Sequence, residues 1–338
     1  MALRFAFAGF RHPHILSVHA LARQMDGLEV VAACEADAAA RANLAAGGRV
    51  EVTHESVDAM FAEADFDVLA VGDCYARRGA LLIRALEAGK HVISDKPICT
   101  SLAELDRAAA LAGAGGLSVG CQLDMRDSGN FRALREVVRG GAIGEVHTID
   151  FQGQHPLMPG RRPAWYFRAG MHGGTINDLA IHAVDAIGWL TGRRIVEVVA
   201  ARAWNARADC AFFQDGAQMM FRLDNDGGVL GDVSYLTPDN FAYKVPCYWR
   251  FTIHGSGGVA ETAEAADGVT VHATSDDAPR NVAPAPARTG GYLRDFLAEI
   301  AGEPPRDGAL TTEAVLAASR ITLLAQDAAD HGRRDVGV

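Results

Sequence analysis

The sequence predicts an α/β protein in two parts: a parallel sheet covered by helices, then a second α/β region built on an antiparallel sheet. Three observations carry this. Strand-like and helix-like runs alternate with short links through the first third of the chain, the pattern that forces a parallel sheet with helices on its faces. After about Cys121 the character changes, and from Ile195 onward strand-type runs are joined by turn residues such as Leu223-Asp224-Asn225-Asp226-Gly227-Gly228, which suits antiparallel pairing. Finally, 338 residues is long for one core and comfortable for two. The domains are accordingly expected over 1–121 and 122–338.

In order, strands are expected at Leu3–Ala8, Leu28–Cys34, Val68–Val71, His91–Ser94 and Leu117–Gly120. The first intervening helix is opened by Pro13 and runs to about Met25, and the second covers Asp37–Ala46. The third covers Ala76–Ala88 and is stopped by Gly89; the fourth starts at Ser101-Leu102-Ala103-Glu104, a capping-box sequence. Then come a helix from about Asn130 to Arg139, a strand at Glu145–Gln152, an irregular loop and a helix stopped by Gly192. A Pro- and Ala-rich link over Ala278–Arg288 precedes two closing helices, near Tyr292–Ile300 and Thr312–Ala329.

Composition narrows the function. The formal net charge is -10 and no lysine or arginine run breaks that acidity, which argues against nucleic-acid and anionic-membrane partners. Hydrophobic residues make up 49% and charged residues 22%, as in an ordinary globular protein. The opening Met1-Ala2-Leu3-Arg4-Phe5-Ala6-Phe7-Ala8-Gly9 is too short an apolar run for a signal peptide, and no segment reaches membrane-spanning length. The six cysteines are scattered with no Cys-x-x-Cys pair, so neither a disulfide framework nor a zinc site is expected, and a cytoplasmic setting is.

Two stretches carry possible chemistry. In Gly173-Gly174-Thr175-Ile176-Asn177-Asp178-Leu179-Ala180-Ile181-His182-Ala183-Val184-Asp185, Asn177 suits an N-cap, and an apolar stripe recurs at three- and four-residue steps. Asp178, His182, Asp185 and Trp189 form a second stripe of polar and aromatic groups. Taken alone, that stripe reads first as a solvated face and second as a row that holds a polar molecule and moves a proton. The other stretch, Gly9-Phe10-Arg11-His12-Pro13-His14, follows the first strand where a dinucleotide-binding turn would carry Gly-x-Gly-x-x-Gly. Only Gly9 matches; Arg11 offers a guanidinium to phosphate in place of a bare backbone. An ordinary strand-to-helix turn and a cofactor turn both remain open. Glu35, at the end of the second strand, stands where a carboxylate accepts the ribose hydroxyls, so NAD is favoured over NADP.

His91-Val92-Ile93-Ser94-Asp95-Lys96-Pro97, preceded by Ala85-Leu86-Glu87-Ala88-Gly89-Lys90, resembles the hallmark segment of the glucose-fructose oxidoreductase, inositol dehydrogenase and rhizopine-catabolism (Gfo/Idh/MocA) family. There the usual wording is Glu-Lys-Pro. The Gly173–Asp185 stretch resembles the family's second hallmark, a glycine pair followed by Asp-x-x-x-His. The two occur in the family's order, and the match spans essentially the whole chain. The resemblance implies a Rossmann domain followed by an α/β domain with an open, mostly antiparallel sheet, the substrate lying between them over the nicotinamide. It maps the family's lysine, aspartate and histidine onto Lys96, Asp178 and His182 as catalytic residues. His182 would take the proton of a secondary alcohol in a sugar or cyclitol, Asp178 would orient it, and Lys96 would bond the developing alkoxide. The cofactor contacts expected are Gly9, Arg11, His12, Glu35, Asp73, Asp95, Lys96 and Pro97. The chain departs from the family wording with Asp95 for glutamate, Gly72-Asp73-Cys74-Tyr75 for Thr-Pro-Asn, and Arg78 where a histidine is usual.

The loop between Gln152 and Met171 carries Gln154, His155, Arg161, Arg162, Trp165, Tyr166 and Arg168, suited to a sugar hydroxyl array, to a carboxylate, or equally to a subunit contact. Gln154, Trp165, Tyr166 and Arg168 join Asp178 and His182 as expected substrate contacts. His172 could complete a metal site with Asp178 and His182, but proton transfer is preferred and no metal is expected. The leading expectation is an NAD-dependent sugar or polyol dehydrogenase. An enzyme that recycles its NAD internally comes second, as in certain glycosidases and epimerases of the family, and a non-catalytic ligand sensor third. A homodimer or homotetramer is expected to cover the open sheet.

Overall fold

In the computed structural model, which describes residues 2–207 and 209–338, the alternating first third forms β1 (Leu3–Ala8), α1 (His14–Gln24), β2 (Leu28–Cys34), α2 (Ala38–Gly47), α3 (Val57–Glu63), β3 (Val68–Val71), α4 (Tyr75–Glu87), β4 (His91–Ser94), α5 (Leu102–Gly115) and β5 (Val119–Cys121). Among the described residues these strands make a five-stranded sheet in the order β2-β1-β3-β4-β5, paired in parallel throughout. Every residue of β3 is fully buried, because helices cover both faces and an alternating strand would strand polar groups there. The order reverses beside β1, so the carboxyl ends of β1 and β3 border the position where such sheets bind ligands.

Local signals behave unevenly. Asp37 caps α2, accepting from the Ala40 N–H at 2.9 Å. Ser101 precedes α5 without making a side-chain cap, and the half-buried Glu104 accepts from the Thr100 main chain, so the expected capping box does not form. The short α3 was not expected from the sequence.

The chain continues through α6 (Gly129–Arg139), β6 (Val146–Pro156), a π-helical turn (Ile176–Ala180) leading into α7 (Ile181–Thr191), β7 (Ile195–Trp204), β8 (Gly216–Leu223), β9 (Gly228–Thr237), β10 (Arg250–Gly255), β11 (Gly258–Ala263), β12 (Val269–Ala273), β13 (Arg280–Val282), α8 (Gly291–Ile300), α9 (Thr312–His331) and β14 (Arg334–Gly337). A nine-stranded sheet among the described residues runs β13-β12-β11-β10-β6-β9-β8-β7-β14. It is antiparallel except for the central parallel pair β6–β9. Phe131 of α6 meets Phe251 of β10 edge-on at 5.5 Å, and Phe251 stacks on Phe151 of β6 at 5.9 Å. Along β8, Ala217, Met219, Phe221 and Leu223 are buried while Gln218 and Met220 are exposed. The sheet is therefore covered on one face and open on the other. Met220 and Leu230 stand on the open face, 43% and 54% exposed, in a groove of about 700 Å³ shared with Asp150, Gln218 and Arg202.

By contacts, the first compact unit is the chain up to Gln122 with 170–172 and Tyr292–Leu316; the second is Leu123–Ala169, Gly173–Gly291 and Ala317–Val338. Sequence distance hides the return of Tyr292–Leu316, where Phe296 fills the space above Gly120. Among the described residues, no helix is long and apolar enough to cross a membrane.

Gly9 holds φ +80°, and a Cβ there would meet the Asp73 main chain at 2.7 Å. Gly9→Ala should therefore cost at least about 1–3 kcal/mol from the backbone conformation alone. Urea denaturation measures this, and a wild-type midpoint would show that the turn relaxes freely.

Candidate active site

In the first unit, the turn after β1 is tied to its surroundings by main-chain bonds: Gly9 N–H to Cys34 O at 2.8 Å and Arg11 N–H to Gly72 O at 2.9 Å. Glu35 is buried at the end of β2. Its Oε2 accepts from the Phe10 N–H at 2.7 Å and its Oε1 from the Asp37 N–H at 2.9 Å. Burial pushes the Glu35 carboxyl up against the pull of those two donors. Each oxygen keeps a second acceptor position, which a ribose hydroxyl could use. Arg11 lies 3.3 Å from the Asp37 carboxylate, and the Asp73 Oδ1 accepts from the Cys74 N–H at 2.6 Å.

Beyond β4, Asp95 is wholly buried, Lys96 is 4% exposed and the Lys96–Pro97 bond is cis. Arg78 of α4, also wholly buried, grips this segment. Its Nη1 donates to the carbonyls of Asp95 (2.9 Å), Lys96 (2.7 Å) and Pro97 (3.1 Å), its Nη2 to Asp95 Oδ2 at 3.0 Å, and its Nε to Asp73 O at 2.8 Å. His12 Nδ1 lies 2.6 Å from the same Asp95 oxygen. Burial alone would raise the Asp95 carboxyl, but His12 and Arg78 hold it well below the usual carboxylate range. Burial takes the His12 imidazole down to about 3 despite Asp95, so a neutral His12 donates to an ionised Asp95. His172 packs beside Tyr75, ring centroids 5.4 Å apart.

In the second unit, Asp178 and His182 stand on the π-turn and α7, and both are buried, as is Asp185. The solvated-face reading of this helix is thereby overturned. Asn177 is not the cap: it lies inside the π-turn, buried, its Oδ1 accepting from Thr322 Oγ1 at 3.3 Å. The first-turn donor Ile176 N–H is met instead by Gln326 Oε1 of α9 at 3.0 Å. Gly174, at φ +91°, makes room for that side chain, which a Cβ would meet at 2.1 Å. The polar stripe also divides. Asp185 forms a two-point pair with Arg126, 2.8 and 2.7 Å, and Trp189 lies under Arg126 and Arg135.

Asp178 is bonded by the phenol of Tyr235 on β9, a residue no motif pointed to. Tyr235 is itself buried, and burial together with Asp178 holds its hydroxyl protonated well above the ordinary range. The Arg162 guanidinium sits 5.1 Å from the Tyr235 ring centre and 5.4 Å from that of Tyr166. Burial works against its charge, but the surrounding tyrosines and Asp178 keep it ionised. Trp249 packs 5.2 Å from the His182 ring and adopts φ +45°, a strained backbone held in place by its packing. His155 lies against Trp249 at 5.1 Å, Tyr248 at 4.9 Å and Tyr243 at 5.8 Å.

The expected substrate contacts are scattered by this geometry. Alternation along β6 buries Phe151, Gly153 and His155 and sets Gln154 on the opposite face. There Gln154 donates to Asp232 O at 3.0 Å and accepts from Ser234 Oγ. His155, not Gln154, is thus linked through Trp249 to His182. Trp165 and Tyr166 are buried in a ring cluster, 4.4 Å apart, and Arg168 is exposed.

Two family models match: an oxidoreductase family with an NAD-binding Rossmann fold over residues 3–122, and the GFO/IDH/MocA C-terminal domain over residues 131–261. The chain belongs to the GFO/IDH/MocA oxidoreductase family. It is 25% identical over 233 residues to inositol 2-dehydrogenase 3 of Saccharopolyspora erythraea, covering 68% of this chain and 65% of the relative. It is 27% identical over 184 residues to myo-inositol 2-dehydrogenase of Thermotoga maritima, covering 54% and 48%. These matches thus span about half to two thirds of the curated relatives' lengths. A solved structure from Thermotoga maritima has TM-score 0.85 at 22% identity, covering 99% of this chain and 100% of that one. A myo-inositol 2-dehydrogenase from Lactobacillus plantarum has TM-score 0.75 at 21% identity, covering 99% and 100%. Both share the fold.

Removing Arg78 would leave Asp95 buried with too little positive charge, so Arg78→Met should destabilise the protein by roughly 3–5 kcal/mol. Because the folded-state pKa of Asp95 is depressed, its stabilisation is complete above the unfolded carboxylate range and fades as pH falls below about 4. Urea titrations at pH 7 and pH 3 should show the deficit shrinking at the lower pH; a deficit independent of pH would contradict this account of Arg78.

Proposed function

We propose that the chain is an NAD-dependent dehydrogenase acting on a secondary alcohol of a sugar or cyclitol. The observation that carries the reading is the buried Asp178, bonded by Tyr235 of β9, in the π-turn that leads into the helix bearing His182, since a buried carboxylate is costly and such groups concentrate at functional sites. The inositol dehydrogenases among the relatives support the substrate class.

The first unit suits a dinucleotide. Gly9 and Gly72 approach their neighbours too closely for a Cβ, so the main chain lies bare at the carboxyl ends of β1 and β3, beside the start of α1. Gly9, Arg11, His12, Glu35, Asp73, Asp95, Lys96 and Pro97 are the residues assigned to it, and Glu35 favours NAD because a carboxylate repels a 2'-phosphate. A bound nicotinamide supplies the hydride acceptor. In this reading an imidazole nitrogen of His182 takes the hydroxyl proton, Asp178 fixes the imidazole, and Tyr235 keeps Asp178 from turning away. Lys96 Nζ bonds the oxygen as it gains charge. Trp249 and His155 wall the substrate, with Tyr166 and Arg162 behind Tyr235.

His182→Ala should lower turnover about 100- to 10,000-fold on a panel of cyclitols and sugars, while NAD still raises the melting temperature. Undiminished turnover in the variant would sink the assignment. Retained nucleotide with no net reduction would point instead to internal recycling, and no nucleotide binding to a ligand sensor.

A second copy is assigned to the open sheet face, which places two large apolar side chains in water. Leu230→Arg should shift sedimentation from a dimer or tetramer toward the monomer. An unchanged assembly would locate the contact elsewhere.

A further inference from the structure

We propose that His12, His14 and Asp95 form a site for a divalent transition-metal ion of the zinc class, clasping the turn after β1 to the segment after β4. Each residue offers one donor atom, and these atoms all lie within 4.8 Å of one another. The decisive contact is between His14 Nδ1 and Asp95 Oδ1. They face each other at 3.3 Å, both are shielded from solvent, and neither has a hydrogen-bond partner. In the tautomer with its hydrogen on Nε2, His14 turns a lone pair toward the Asp95 oxygen, and a cation is the group that satisfies both atoms. In a tetrahedral site with metal–ligand bonds of ~2.0–2.1 Å, neighbouring donor atoms stand about 3.3 Å apart, a spacing that the 3.3 Å separation matches without rearrangement of this pair.

The surroundings leave this oxygen available. Arg78 and His12 both engage Oδ2 of Asp95, and Oδ1 is left to the other side. Arg78 weakens the site by competing for the carboxylate's charge, but it does not occupy the ligand position. His12 Nδ1 would reach the ion by giving up its bond to Oδ2. Two imidazoles and one carboxylate suit zinc, cobalt or nickel rather than calcium or magnesium, which prefer oxygen alone. His14 is 39% exposed at its side chain, which provides an entry path, and three protein ligands leave a fourth position open. The His-x-His spacing across Pro13 is visible in the sequence; its third ligand is not, because Asp95 lies far along the chain, just after β4.

The test uses the full-length, tag-free protein, stripped with EDTA, and cobalt chloride as the probe. One equivalent of cobalt should bind with the visible absorption of a tetrahedral ion, and zinc chloride should displace it. His14→Ala should weaken cobalt binding more than about 100-fold, beyond the 10- to 100-fold typical of a residue that only supports a ligand. Asp95→Asn gives a second ligand variant, and circular dichroism shows that each is folded. His272→Ala, on β12, should bind as the wild type does. Zinc should also raise the melting temperature of the wild type and not that of His14→Ala. Absence of a stoichiometric cobalt spectrum overturns the proposal. So does a spectrum unchanged in both ligand variants, which would place the ion on other surface histidines. The readout is independent of turnover, so failure of the dehydrogenase reading would leave this result standing.

Discussion

A carboxylate taken wholly out of water must be met by charge and by donors, and Asp95 meets that demand through Arg78 and His12. Much of the first unit's architecture follows. Arg78 reaches Asp95 from the first turn of α4, which begins at Tyr75 shortly after β3 ends at Val71. Once there, its fork-shaped guanidinium also collects three carbonyls in a row, which a lysine ammonium could not do in that planar arrangement. The main chain carrying Lys96 is thereby fixed from behind. His12 brings in the turn after β1, so the two segments assigned to the nucleotide share one buried anion.

The second unit solves the same problem differently. Asp178 is met by a neutral phenol, with a guanidinium at one remove behind the aromatic ring. A neutral donor satisfies the carboxylate's lone pairs without neutralising its charge. The contrast with Asp185 is instructive: that carboxylate is clamped two-point by the Arg126 guanidinium, whereas Asp178 is bonded by a phenol.

How much of this was legible depended on whether the signal was local. β1 to β4 fall where the apolar runs put them, because burial on both faces makes those runs continuous. The family resemblance rests on Lys96, Asp178 and His182, and motif wording was enough to mark them. What escaped was set by distant partners. Asn177 has the chemistry of a cap, yet Gln326, far along the chain, meets the first-turn donor, and Asn177 lies inside a π-turn. Gln154 and His155 differ only by strand parity, and parity is invisible until the strand's reach through Pro156 is known. Tyr235 and Trp249 carry no motif at all; one sits on a strand and the other in a strained turn, and only folding brings them to the helix. Arg78 was visible merely as a departure from family wording, its compensating role hidden because Asp95 is another departure.

The nine-stranded sheet does not close on itself, and its two outermost strands decide how the protein behaves in a crowded solution. An uncapped sheet edge is a template on which any extended chain can add. Here one edge, β13, is three residues long and runs directly into Ala283-Pro284-Ala285-Pro286, where two residues have no N–H to offer. The other, β14, is four residues long, opens on Arg334-Asp335 and follows Arg333, so an incoming strand would meet charge. A broad sheet is thus protected from aggregation by the brevity and chemistry of its rims.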